Sequence, residues 1–180
     1  MNVCVFCGSG MGAHPVYAEA ARKLGRLLAQ ATLRLVYGGG NIGLMGILAD
    51  AVMENGGEVT GVIPAFLLDK EVGHRGITDL EVVESMHQRK RRMADLSEAF
   101  VALPGGWGTL EELSEILTWR QLGLISHPVV LLNTNRFFDP LLDQMRLMVK
   151  EGFLEAGNLN FLHVEKTPET IISLLITQKA

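Results

Sequence analysis

The segment "LPGGWGTLEE", residues 103–112, sets three glycines and a threonine directly before two adjacent acids. Gly105, Gly106 and Gly108 let a backbone turn sharply and approach a ligand closely. A helix that starts there offers unpaired N–H groups and a positive dipole end to an anion such as a phosphate. A carboxylate repels that anion, so an acid one turn further along suits a different part of the same ligand. Apolar residues at Leu110, Leu113, Ile116 and Leu117 fix the helical phase. At about 100° per residue, Glu112 lies on the side of Thr109 and Glu111 on the other flank. Acids in a first turn also simply complement the helix dipole, so periodicity leaves open which glutamate is chemical.

A second group lies in "MHQRKRRMADLSEAF", residues 86–100. On a helix Met86, Arg89, Met93 and Leu96 share one face, which puts Arg89 in an otherwise inward-packing stripe. An unpartnered buried guanidinium is costly. Arg89 is therefore either a structural ion-pair member or a cation aimed at a phosphate or carboxylate, which its planar fork suits. Arg91 and Arg92 point elsewhere.

Elements able to position these groups follow from the alternation of short apolar runs with longer helical patterns. Strands are expected at 3–7, 34–37, 58–63, 80–84, 99–103 and 129–132, and helices at 16–29, 44–54, 87–96, 110–122, 139–151 and 168–177. Such alternation implies right-handed crossovers and a mostly parallel, doubly wound sheet in a three-layer α/β arrangement. Ligands of such sheets bind at the carboxyl ends of the strands, near the topological switch. Three runs end in glycine there: "CGSG" at 7–10, "YGGGNIG" at 37–43 and "LPGGWG" at 103–108. Together they favour a phosphorylated small molecule over packing alone.

Other ligands fare less well. Gly38, Gly40 and Gly43 satisfy G-x-G-x-x-G, but the acid at dinucleotide spacing, Glu58, lies at the start of the next strand rather than its end. No G-K-S/T follows any glycine run, and neither Lys70 nor Lys90 has a Schiff-base context. Cys4 and Cys7 form C-x-x-C in an apolar strand without further zinc ligands, which reads as two buried cysteines. His14, His74, His87, His127 and His163 show no metal-ligand spacing, and Asp50 reads as an ordinary helix acid. No metal and no cofactor are expected.

The 180 residues fit one domain, 1–180, with ample core material at 48% apolar residues. A net charge of −4 argues against a general nucleic-acid binder. No run is apolar enough to span a bilayer and no signal-peptide pattern opens the chain. The expectation is a soluble, cytoplasmic protein without membrane partners.

The blocks "YGGGNIGLMG" (37–46), "MHQRK" (86–90) and "PGGWGTLEE" (104–112) resemble the signatures of the LONELY GUY (LOG) family, cytokinin riboside 5′-monophosphate phosphoribohydrolases. The resemblance extends from "CVFCGSG" through "TWRQLG" (118–123) and implies a Rossmann-like fold. It implies an N-glycosyl hydrolase that releases base and ribose 5-phosphate from adenine-type nucleoside 5′-monophosphates, including AMP, and a homodimer or larger assembly. It places the 5′-phosphate on Gly105, Gly106, Trp107, Gly108 and Thr109, and makes Arg89 and Glu112 the catalytic pair. Lys90, Glu111 and Thr118 are implied to line the substrate site, with Glu71 as a further contact. Ser9, Gly39 and Gly40 fall in glycine turns on the same edge. Trp107 fills a variable motif position, and residues 67–78 depart most from the family pattern. The competing expectation is a nucleotide-binding or carrier protein that keeps the phosphate cradle without turnover. A carrier has no need of both Arg89 and Glu112. An amino-acid decarboxylase finds no supporting residue.

Overall fold

The computed structural model describes residues 1–68 and 73–179. The elements run β1 (Asn2–Phe6), α1 (Pro15–Gln30), β2 (Arg34–Tyr37), α2 (Gly43–Glu54), β3 (Val59–Pro64), β4 (Asp79–Val83), α3 (Met86–Asp95), β5 (Ala99–Ala102), α4 (Trp107–Gln121), β6 (Val129–Leu132), α5 (Asp139–Lys150), β7 (Leu162–Glu165) and α6 (Pro168–Lys179). All strands pair in parallel in the order β4-β3-β2-β1-β5-β6-β7. The chain steps outward from β1 through β4 on one side and from β5 through β7 on the other. The switch therefore lies between the carboxyl ends of β1 and β5, where such sheets open a crevice.

Alternation along the central strands feeds two apolar layers. Val3, Val5 and Cys7 join Leu35, Tyr37 and Val101 under α1, α2 and α6. Cys4 and Phe6 join Val36, Phe100 and Ala102 under Met93 of α3 and Leu113 and Ile116 of α4. Helix α1 follows Pro15 at its first turn and buries Tyr17, Ala21, Leu24 and Leu28 at helical spacing. Gly25 lets α2 lie close against it, because a Cβ there would stand 2.6 Å from the Leu48 carbonyl oxygen.

The expected elements are all present, with ends shifted by no more than three residues. Two differences matter. Helix α4 begins at Trp107, so Gly108 and Thr109 belong to its first turn instead of a preceding loop. β7 is an added edge strand whose sequence, LHVE, is too short and polar to stand out. Among the described residues, no helix is long and apolar enough to cross a membrane.

Candidate active site

A cavity of about 280 Å³ opens at the switch point, lined by Phe6, Cys7, Gly8 and Ser9 from the end of β1, by Gly106–Glu112 residues of α4, and by Arg89. Each polar group arrives for a local reason. Gly106 caps α4 with no side chain, and its first-turn amides at Trp107, Gly108 and Thr109 precede any intrahelical acceptor. A Cβ on Gly106 or Gly108 would meet nothing within 4 Å, so this end of the helix is open. Gly105 is glycine because Thr109 folds back on it; a Cβ there would lie 2.1 Å from Thr109 Oγ1. Thr109 is thereby buried with its hydroxyl in a fixed place. In the glycine run before α2, Gly38 lines the cavity, while Gly39 and Gly43 serve packing. The Leu44 N–H donates to the Gly8 carbonyl at 3.0 Å, and Gly43, at φ +61°, passes against Ser9. Gly39, at φ +76°, packs on Ile63 and Leu80, and its carbonyl accepts from His74 N–H at 2.9 Å.

Arg89 is 5% exposed, as its place in the inward stripe of α3 predicts. Its Nε donates to the Val62 carbonyl at 3.1 Å and its Nη2 to the Gly38 carbonyl at 2.7 Å. Two strand-end carbonyls thus hold the guanidinium at the cavity. Gly38 must lack a side chain for this, since a Cβ would come within 2.1 Å of Nη2. Glu112 lines the same cavity. The thiol of Cys7 at the cavity wall reports both charges. Burial pushes its pKa far up, the negative charge of Glu112 raises it further, and the positive charge of Arg89 opposes. Cys7 therefore stays a neutral thiol at the floor of the site, and Cys4, buried behind it, is raised in the same way.

Of the remaining candidates, Ser9, Trp107 and Glu111 line this cavity, with Trp107 88% exposed at its rim. Gly105 lines an adjoining apolar cavity with Tyr17 and Phe137. Gly39 and Gly40 lie behind the site, where Gly40 bridges to Gly73. Lys90 turns to α4: its ammonium bonds Glu111 and, at 3.2 Å, Glu115. Thr118 sits two turns from the cradle in a separate groove, its hydroxyl donating to the Ser114 carbonyl. Glu71 lies outside the described residues. Residue spacing marks none of Gly38, Cys7 and Glu115 as belonging to the site. Glu115 follows Glu111 by four residues, the spacing that puts two side chains on one face, and that was the available signal. His74 and Asp50, read separately as a scattered histidine and a helix acid, are bonded at 2.9 Å. Among the described residues, no three His, Cys, Asp or Glu gather as a metal site.

The arrangement thus supplies anion-binding amides, a fixed cation and a carboxylate around one small volume. Comparison with known proteins shows the family. Residues 45–175 match the family described as "Possible lysine decarboxylase". A cytokinin riboside 5′-monophosphate phosphoribohydrolase of Rhodococcoides fascians is 47% identical over 97% of this chain and 88% of its own length. The LOG7 enzyme of the same description from Arabidopsis thaliana is 49% identical over 85% of this chain and 70% of its own. A molybdenum cofactor binding protein of Rippkaea orientalis superposes with a TM-score of 0.75 at 24% identity, over 99% of this chain and 97% of that one, a likeness of fold alone. The chain belongs to the LOG family of cytokinin riboside 5′-monophosphate phosphoribohydrolases.

Proposed function

We propose that the protein hydrolyses the N-glycosidic bond of adenine-type nucleoside 5′-monophosphates, a cytokinin riboside 5′-monophosphate or AMP, to free base and ribose 5-phosphate. The observation that carries this reading is the meeting of the open α4 N-terminus, Arg89 and Glu112 in one cavity. The 5′-phosphate sits on the amides of Trp107, Gly108 and Thr109, with the Thr109 hydroxyl beside them. Ribose C1′ then lies one helical turn deeper, at Glu112. As the C1′–N bond breaks, its electron pair leaves with the base, which takes up a proton, and positive charge spreads over C1′ and the ring oxygen. The Glu112 carboxylate stabilises that charge and accepts a proton from the water that adds to C1′. Arg89 binds and orients the substrate through its planar guanidinium fork. The phosphate supplies binding energy away from the breaking bond.

This division of labour predicts a strong demand for the 5′-phosphate. AMP should be turned over with a kcat/KM at least about 100-fold above that of adenosine, the size expected when charge-assisted contacts at the cradle are lost. Steady-state kinetics on the two substrates reads this directly, and equal turnover would remove the cradle from the account. Tight AMP binding without release of base would instead favour a carrier.

The protein is further proposed to act as a homodimer. Helix α5 buries no residue completely, and Leu147, Met148 and Phe153 are exposed, as are Leu122 and Leu124 after α4. A groove of about 420 Å³ between α4 and α5, lined by Leu117, Leu141, Met145 and Phe161, continues this surface. Apolar surface of this kind marks interaction sites. Light scattering after size exclusion should give twice the chain mass, and Leu147→Glu with Phe153→Glu should halve it; a wild-type monomer at micromolar concentration contradicts the assignment.

A further inference from the structure

Lys90 follows Arg89 on α3, and Glu111 precedes Glu112 on α4. The two residues next to the proposed catalytic pair are bonded to each other, helix to helix. The Lys90 side chain is only 11% exposed, so its ammonium is nearly enclosed between two carboxylates of α4, Glu111 and Glu115. Burial disfavours that charge, but the hydrogen bonds and negative charges of Glu111 and Glu115 outweigh it and hold the Lys90 pKa above the usual lysine value. Lys90 is therefore held as an ammonium between the two carboxylates. Arg91 of α3 also meets α4 further from the cavity, its guanidinium 5.9 Å from the Trp119 ring centre and its side chain 70% exposed.

The two carboxylates are not equivalent. Glu111 lines the cavity and its side chain is 54% exposed, so a bound ligand can compete for it. Glu115 is one turn further along α4 and 28% exposed, and it does not line the cavity. It can hold Lys90 whether or not Glu111 stays. We propose that Lys90 and Glu115 are positioning residues, a strut across α3 and α4 that fixes Arg89 relative to Glu112. The proposal rests on the functional reading of the cavity given above. It assigns Lys90 to the second helix rather than to the substrate.

Steady-state kinetics on AMP, ribose 5-phosphate binding by calorimetry and thermal melting test it together in wild type, Glu115→Ala, Glu115→Gln and Lys90→Gln. Misplacement of reacting groups by a fraction of an ångström costs turnover rather than binding, so Glu115→Ala should lower kcat about tenfold with KM and the ribose 5-phosphate Kd within about twofold. Glu115→Gln keeps an acceptor for Lys90 and should recover most of kcat. Lys90→Gln should behave like Glu115→Ala. Wild-type kcat in Glu115→Ala overturns the strut, as does a kcat loss that tracks the melting temperature and is not recovered in Glu115→Gln. A Lys90→Gln variant with normal kcat and a raised Kd would make Lys90 a ligand contact and overturn it too. A wild-type protein that releases no base overturns the functional reading and the strut with it, whereas wild-type turnover with an unaffected Glu115→Ala overturns the strut alone.

Discussion

Replacing Glu112 by glutamine lowers kcat for base release by about 10²–10⁴-fold, the range associated with removing a positioned acid–base group or a charge that stabilises the transition state. Glutamine keeps the shape and one acceptor oxygen of the side chain but carries neither the negative charge nor a basic site. The charge matters most where positive charge builds on the ribose, so the loss should fall on kcat, with KM for AMP changing little. The prediction separates the two neighbouring glutamates. Glu111 is half exposed and engaged with Lys90, while the charge of Glu112 acts on Cys7 at the end of β1. Glu111→Gln should therefore cost about tenfold or less. A second readout comes from Cys7. The Glu112 charge is the second cause, after burial, of its raised pKa, so Glu112→Gln should bring that pKa down and speed alkylation of the thiol at alkaline pH. Full activity in Glu112→Gln alongside a dead Glu111→Gln would assign the chemistry to Glu111 instead.

The second large effect is expected from a single methyl group. In Gly38→Ala the new Cβ would stand 2.1 Å from Arg89 Nη2, a distance packed atoms do not tolerate, and 3.0 Å from its Cζ. The contact can be relieved only by swinging the guanidinium away. That strips Arg89 of the Gly38 carbonyl and, with it, of the fixed geometry shared with Val62. A buried acceptor left unpaired costs about 1–3 kcal/mol, which in a domain of this size is a drop in Tm of several degrees. An orienting group moved by about 1 Å costs on the order of 100-fold in kcat/KM. Melting and kinetics on Gly38→Ala should show both losses. Gly157→Ala, whose Cβ would meet nothing within 4 Å, should show neither. Wild-type kcat/KM in Gly38→Ala would mean that Arg89 need not be held where it is.

Much of this site was legible in residue spacing. The inward place of Arg89 followed from the stripe Met86–Arg89–Met93, and the sidedness of Glu112 from its phase relative to Thr109. What spacing cannot supply is partners across the fold. Lys90 is separated from Glu111 by 21 residues and Asp50 from His74 by 24, and only the packing of α3 on α4 and of α2 on the 73–76 segment joins them. The three glycine runs looked equivalent, since glycine marks both a ligand's approach and a close backbone crossing. The crossings at Gly39 and Gly43 are set by Ile63, Leu80 and Ser9, residues distant in sequence, whereas Gly8, Gly38, Gly106 and Gly108 line the cavity. The start of α4 at Trp107 is hard to read from propensity because Gly106 and Gly108 disfavour helix, while the close fit of Thr109 against Gly105 is a local contact that propensity does not show. Edge strand β7 carries too little apolar alternation to be read without its neighbour β6.

The account rests on cleavage of the bond between base and ribose. Its most direct test is chromatography of products after incubation of wild type and Glu112→Gln with N6-isopentenyl-AMP and AMP. The expected result is free base and ribose 5-phosphate in equal amounts from wild type on at least one of the two nucleotides, with almost none from Glu112→Gln. Intact nucleotides after prolonged incubation with folded wild-type protein, or loss of the phosphate with the base still attached to its ribose, would contradict it.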